Sequence, residues 1–301
     1  MKTDTTVKIG KLKLKNPLVL LSGTAGYGTE LNGLLDLSKI GAVIAKTITL
    51  EPREGNPAPR ITEVYGGVIN AIGLENPGVD VFIEKYWPQI IKNDYPVIVS
   101  IGGHSVADFV KCIEKIDQVK SIKAVELNLS CPNVRMKKLM SQDKVLLRKL
   151  IKKIRPLTEK TLIAKLTPQV TDIVEIAQTA KDSGIDGLSL VNTFPAMKID
   201  INAKRPFLAN IYGGLSGRCV KPMALACVHK VYKATKMPII ATGGVYSCED
   251  VIEYIMAGAE FVGIGTANFT YPDIAQRILK DLQQFLLKNK IHSLKEIKGV
   301  V

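Results

Sequence analysis

The stretch 125–133, VELNLSCPN, places an asparagine amide and a thiol three residues apart, with a proline directly behind them. Val125, Leu127 and Leu129 alternate with Ala124, Glu126 and Asn128. That is the period of a β-strand, with the aliphatic set on one side and a small or polar set on the other. The first set can pack against helices, and the second would line an interior. Pro132 has no N–H to give to a neighbouring strand, so a central strand ends before it. Cys131 is thereby carried out of the sheet beside a buried amide, a place suited to chemistry. A buried packing thiol is the other reading of the same residue, and the stretch alone leaves both open.

Elements must hold these groups in place. Residues 5–15 alternate around Gly10 and predict a short N-terminal hairpin. Buried strands are predicted at 17–21, 41–45, 96–101, from 125, and at 161–166, 186–191, 237–241 and 260–264. Helical spacing recurs at 30–40, 79–92, 105–117, 141–155, 171–183, 221–236, 249–257 and 273–288. Gly184 and Gly258 stand where two of these helices stop. Strands alternating with helices imply βαβ units and a parallel sheet. Eight such units predict an α/β fold, a closed (β/α)8 TIM barrel, with a doubly wound open sheet as the alternative. A long Pro- and Gly-rich insertion follows strand 2, and a second insertion follows strand 6 and runs to Gly217. A barrel needs about 250 residues, so residues 1–301 are read as one domain.

Composition narrows the class. The chain is 46% hydrophobic and 23% charged, enough apolar matter for a large core. No apolar run approaches a membrane span of about 20 residues, and the first residues lack a signal-peptide core. A soluble cytoplasmic protein is the simplest expectation. The net charge is +13, but the lysines are spread along the chain without interleaved aromatics, which argues against nucleic acid. Cys112, Cys131, Cys219, Cys227 and Cys248 form no CxxC pair and no zinc or iron–sulfur spacing. A metal site is therefore not expected. His229 and His292 fall in helical patterns; His104 in GGHS could line a site, with a solvated loop position as the plainer reading.

In such barrels the site lies at the C-terminal strand ends. Those ends are Ser22, Lys46, Ser100, Asn128, Lys165, Asn192, Gly243 and Gly265. Lysine is seldom buried without a partner, so two lysines here point to an anionic or electron-accepting ligand; snorkelling is the plain alternative. Gly243-Gly244 and Gly265-Thr266 follow the last two strands, the usual phosphate position. The run 213–217 reads as a further flexible glycine loop.

The segments EPREGNPAPR, INAIGLENPG, ELNLSCPN, LANIYGGLSG, ATGG and GIGTA closely resemble the dihydroorotate dehydrogenase family, an FMN-dependent (β/α)8 barrel, over nearly the whole chain. Cys131 is similar to class 1; the membrane-associated class 2 has serine there. NAIGL resembles class 1B, the NAD-linked branch. The resemblance implies FMN contacts from Ser22, Lys46, Thr47, Ser100, Asn128, Lys165, Val191, Gly217, Gly243, Gly244, Gly265 and Thr266. It implies dihydroorotate contacts from Lys46, Asn70, Ala71, Ile72, Gly73, Leu74, Asn128, Asn192 and Thr193. Asparagine amides can match the donors and acceptors of a pyrimidine. Lys46 would neutralise the orotate carboxylate, and Lys165 would stabilise negative charge on the reduced flavin. Cys131 would be the base, since a thiol of pKa about 8.5 holds some thiolate at neutral pH.

The loop after Cys131 would be a lid. The resemblance further implies a homodimer core and a partner subunit carrying FAD and a 2Fe-2S cluster. Two positions depart from the family pattern. The lid reads RMKKLMSQDK where a glycine pair and Phe-Gly are usual, and Ser100 stands where class 1B usually has asparagine. Serine there is similar to the fumarate-linked class 1A, which is one alternative. A dihydropyrimidine dehydrogenase-like subunit acting on uracil or thymine is a second. A Schiff-base aldolase using Lys46 or Lys165 is a third, and a non-catalytic barrel binding a phosphate ligand a fourth.

Overall fold

The computed structural model describes residues 3–93, 95–130 and 139–301. It opens with β1 (Val7–Ile9) and β2 (Leu12–Leu14), paired antiparallel across Gly10. Gly10 has φ +52°, a conformation glycine adopts without Cβ strain. This hairpin closes the N-terminal mouth of the barrel: Ile9 occupies the space that a Gly187 side chain would need.

Chain order then gives β3 (Leu18–Leu20), β4 (Ala42–Ile44), β5 (Ile61–Val64), β6 (Gly67–Asn70), β7 (Val97–Ile101), β8 (Ala124–Asn128), β9 (Thr161–Leu166) and β10 (Gly187–Leu190). There follow β11 (Phe194–Met197), β12 (Ile199–Asp200), β13 (Arg205–Pro206), β14 (Tyr212–Ser216), β15 (Ile239–Thr242) and β16 (Phe261–Ile264). The closed barrel runs β3-β4-β7-β8-β9-β10-β15-β16, and β16 pairs back onto β3. Every neighbouring pair in it is parallel. Its strands are buried on both faces, as a parallel sheet inside a ring of helices requires. This is the (β/α)8 barrel expected from the pattern.

The helices between the strands are α1 (Ser22–Ala25), α2 (Val79–Val81), α3 (Trp87–Lys92), α4 (Val106–Gln118), α5 (Lys144–Ile154) and α6 (Ile173–Asp182). The last four are α7 (Lys221–Thr235), α8 (Cys248–Met256), α9 (Ala267–Thr270) and α10 (Ile274–Lys288). Ser105 and Ser247 start α4 and α8 with capping boxes, each closed by an aspartate three residues on. Outside the barrel, β11-β14-β6-β5 form an antiparallel sheet from the segments after β4 and β10.

Four readings of the sequence are corrected here. Residues 30–40 form two 3₁₀ turns, Thr29–Leu31 and Leu37–Lys39, because Gly33 at φ +83° breaks the run between them. The helix at 79–92 contains a π turn, Phe82–Tyr86, that ends two residues before Pro88. Proline lacks an N–H and clashes with the preceding turn, which a wider turn relieves. The run 213–217 is no flexible loop, since β14 takes Tyr212–Ser216 between β11 and β6. Its glycines permit close packing: a Cβ on Gly213 would stand 2.7 Å from Asn70 O. His292 lies beyond the end of α10 rather than within a helix.

Candidate active site

The C-terminal ends of the barrel strands and the antiparallel sheet enclose a cavity of about 770 Å³. Ser22, Lys46, Thr47, Asn70, Ala71, Ile72, Gly73, Leu74, Asn128, Lys165, Val191, Asn192 and Thr193 line it. So do Gly217, Gly243, Gly244, Gly265 and Thr266. Ser100 does not. Its Cα partner on β8 is Glu126, two residues before Asn128, so its short side chain falls one layer below the cavity. Cys131 lies outside the described residues, as does the lid segment as far as residue 138.

The polar floor is built by register. Asn128, the last residue of β8, is level with Lys165 on β9. Asn128 Nδ2 donates to Thr47 Oγ1 at 3.2 Å, and Thr47 Oγ1 stands 3.0 Å from Ser100 Oγ. The main-chain N–H of Ser130 donates to Asn128 Oδ1. Asn192 stands after β10, its N–H bound to Leu166 O at 2.9 Å and its Oδ1 accepting from the Thr193 N–H. Asn70 reaches in from β6 and donates to Gly214 O at 3.3 Å. Asn56 holds the 70–74 segment from behind, bonding Ile72 O through its main chain and Ala71 O through its side chain. Three asparagine amides on three separate elements thus converge on one space.

Lys46 and Lys165 supply positive charge. Among the described residues the ammonium group of neither makes a hydrogen bond or ion pair. Burial depresses the Lys46 pKa; Glu75 opposes this and Arg60 adds to it. Two half-buried ammonium groups without counter-ions are costly unless an anion joins them.

A third feature lies at the ends of β15 and β16. Among the described residues no acceptor takes the main-chain N–H of Gly243, Gly244, Gly265 or Thr266. Unmet N–H groups grouped at a cavity wall are an anion cradle. Gly243 and Gly244 hold φ +131° and +71° there. The wall is braced from behind: Tyr254 on α8 donates to Gly243 O at 2.6 Å, and Lys221 on α7 pairs with Asp250 and Glu253 of α8. The set fits a phosphorylated, anionic cofactor: free donors for a phosphate, and a floor of amide and ammonium groups for a polar ring.

Residue-by-residue reading missed part of the lining. His104 faces the cavity and contacts Arg53, so of its two readings the site-lining one holds and the solvated loop position does not. Arg60 pairs with Glu75 and also bonds Asn56 O. Tyr212 and Ser216 enter from β14. Nothing local marks Tyr212 or Ser216, because β14 reaches the cavity only through its pairing with β11 and β6.

Comparison with known proteins places the chain among relatives. The family model described as Dihydroorotate dehydrogenase matches residues 5–286. The chain is 44% identical over 300 residues to "Dihydroorotate dehydrogenase B (NAD(+)), catalytic subunit" of Desulforudis audaxviator, covering 99% of this chain and 98% of that protein. It is 44% identical to the protein of the same name in Geobacter metallireducens, over 99% and 98% of the two chains. The Bacteroides thetaiotaomicron protein of that name is 42% identical, over 99% of each chain.

Proposed function

The chain belongs to the dihydroorotate dehydrogenase family, and from that premise we propose that it oxidises (S)-dihydroorotate to orotate as the catalytic subunit of an NAD-linked, class 1B enzyme of pyrimidine biosynthesis. One observation carries the reading: unmet main-chain donors, two unpaired lysines and three amides share one cavity. Relatives named as catalytic subunits support a partner subunit, in this proposal one carrying FAD and a 2Fe-2S cluster. The whole chain acts as one catalytic domain, paired with a second copy.

The family is flavin-dependent, and here the flavin is FMN. Its phosphate would be held by the N–H groups of Gly243, Gly244, Gly265 and Thr266, with Ser22, Val191 and Gly217 alongside. Bound FMN would supply the two-electron acceptor for the hydride leaving substrate C6. Every other part of the reaction falls to side chains. Lys46 neutralises the substrate carboxylate. Asn70, Asn128, Asn192 and Thr193 match the alternating amide donors and acceptors of the ring, helped by the main chain of Ala71, Ile72, Gly73 and Leu74. Lys165, level with Asn128, balances the negative charge that arrives with the electron pair. Cys131 takes the C5 proton as thiolate, so that the C5–C6 double bond forms as proton and hydride leave.

The test is optical. Purified protein should be yellow, and dihydroorotate should bleach it without oxygen. Cys131→Ala should stay yellow but bleach about 10²–10⁴-fold more slowly. Protein that takes up no added FMN, or that dihydroorotate leaves yellow, would overturn the reading.

A further inference from the structure

We propose that Glu126 is a positioning residue that sets which end of the Asn128 amide meets the ligand, by fixing the sense of the hydrogen-bond chain between them. The inference rests on the reading of the cavity given above.

Glu126 lies in the middle of β8 and is fully buried. Among the described residues no lysine, arginine or histidine pairs with it, and its Oε2 has no hydrogen-bond partner. A buried carboxyl group without a cation burdens the fold, and an apolar side chain of its size would pack at lower cost. Its one bond is informative: Ser100 Oγ donates to Glu126 Oε1 at 3.0 Å. A hydroxyl has a single hydrogen. With that of Ser100 spent on Glu126, the 3.0 Å contact between Thr47 and Ser100 has only one sense, with Thr47 donating. Thr47 then has no hydrogen left, so its oxygen must accept at 3.2 Å from Asn128, and the atom there must be Nδ2. At the other end, the Ser130 N–H requires Oδ1. One Nδ2 hydrogen and one Oδ1 lone pair remain for a ligand, in one arrangement.

Without the acceptor at Glu126 the chain can reverse. Ser100 would donate to Thr47, Thr47 to the amide oxygen, and Asn128 would turn over at the expense only of the 3.4 Å bond from Ser130. A pyrimidine imide would then meet a donor where it needs an acceptor in part of the population. Removing one hydrogen bond of this kind is worth about a tenfold change in affinity.

The test measures orotate binding to flavin-loaded protein by calorimetry, with thermal unfolding alongside. Ser100→Ala, a small change outside the cavity lining, should weaken orotate about tenfold. Glu126→Leu should do the same, and the double variant should be no worse than either single one. Glu126→Gln, whose amide oxygen can still accept from Ser100, should bind orotate within about twofold of wild type. Wild-type affinity in Ser100→Ala would overturn the proposal, even where Glu126→Leu does not fold. Losses that add in the double variant, or a Glu126→Gln protein as weak as Glu126→Leu, would also overturn it. A wild-type protein that binds no orotate would sink the functional reading and this inference together.

Discussion

Lys46 is the residue whose charge the site must spend on a ligand. Burial, opposed by Glu75 and reinforced by Arg60, holds its pKa below the ordinary 10.5. The charged form is therefore the strained one in the unliganded fold. That strain is present at neutral pH and fades as pH rises through the lowered pKa towards 10.5. A bound carboxylate works the other way, because it favours the ammonium. Orotate affinity should accordingly fall as pH rises through that window, with proton uptake on binding. Lys46→Met should bind orotate more weakly and lose this dependence, while its affinity for uracil changes less. Titrations at equal flavin content check this, and equal losses for the two ligands would remove Lys46 from carboxylate recognition.

At the scale of elements, the cradle is made by where strands stop and by what braces the turns behind them. Gly244 holds φ +71°, and a Cβ on it would stand 2.6 Å from Lys221 Cβ. Gly244→Ala should therefore lower both stability, by about 1–3 kcal/mol, and flavin retention. Gly23 is the contrasting position. It lines the same cavity, yet a Cβ there would meet nothing within 4 Å. Gly23→Ala should melt like wild type, so any loss of flavin affinity it shows reports a ligand in that space. Melting curves and flavin content on the two variants separate the effects; a Gly23→Ala protein that also melts early would refute the assignment of open space.

The whole molecule must also pass electrons on. The sequence has no four cysteines at ferredoxin-like spacing and no strand-linked GxGxxG for a dinucleotide. Among the described residues no helix is long and apolar enough to cross a membrane. The isolated chain should oxidise dihydroorotate with artificial acceptors and reduce NAD⁺ poorly, and an iron–sulfur flavoprotein partner should restore NAD⁺ reduction. Stopped-flow reoxidation by fumarate, by NAD⁺, and by partner with NAD⁺ distinguishes the routes. Fast reoxidation by fumarate alone would contradict the NAD-linked assignment and leave the dihydroorotate half-reaction intact.

The barrel was legible in the sequence because its strands are buried on both faces. Near-continuous aliphatic runs such as those of β7 and β9, alternating with amphipathic helices, leave few other folds. The strand-end residues were legible for the same reason: once the strands are placed, Lys46, Asn128 and Lys165 follow by counting. The stretch 30–40 misled because aliphatic spacing outweighed the glycine inside it. Ser100 lay beyond counting as well, because its depth depends on the stagger between β7 and β8, which long-range pairing decides. The strand β14 was hidden for a related reason. It lies far along the chain from β6, and only their antiparallel pairing brings Tyr212 and Ser216 to the cavity wall. The hydrogen-bond chain from Glu126 to Asn128 needs both kinds of information. Residue types supply the donors and acceptors, but the single sense of the chain exists only when three strands stand side by side.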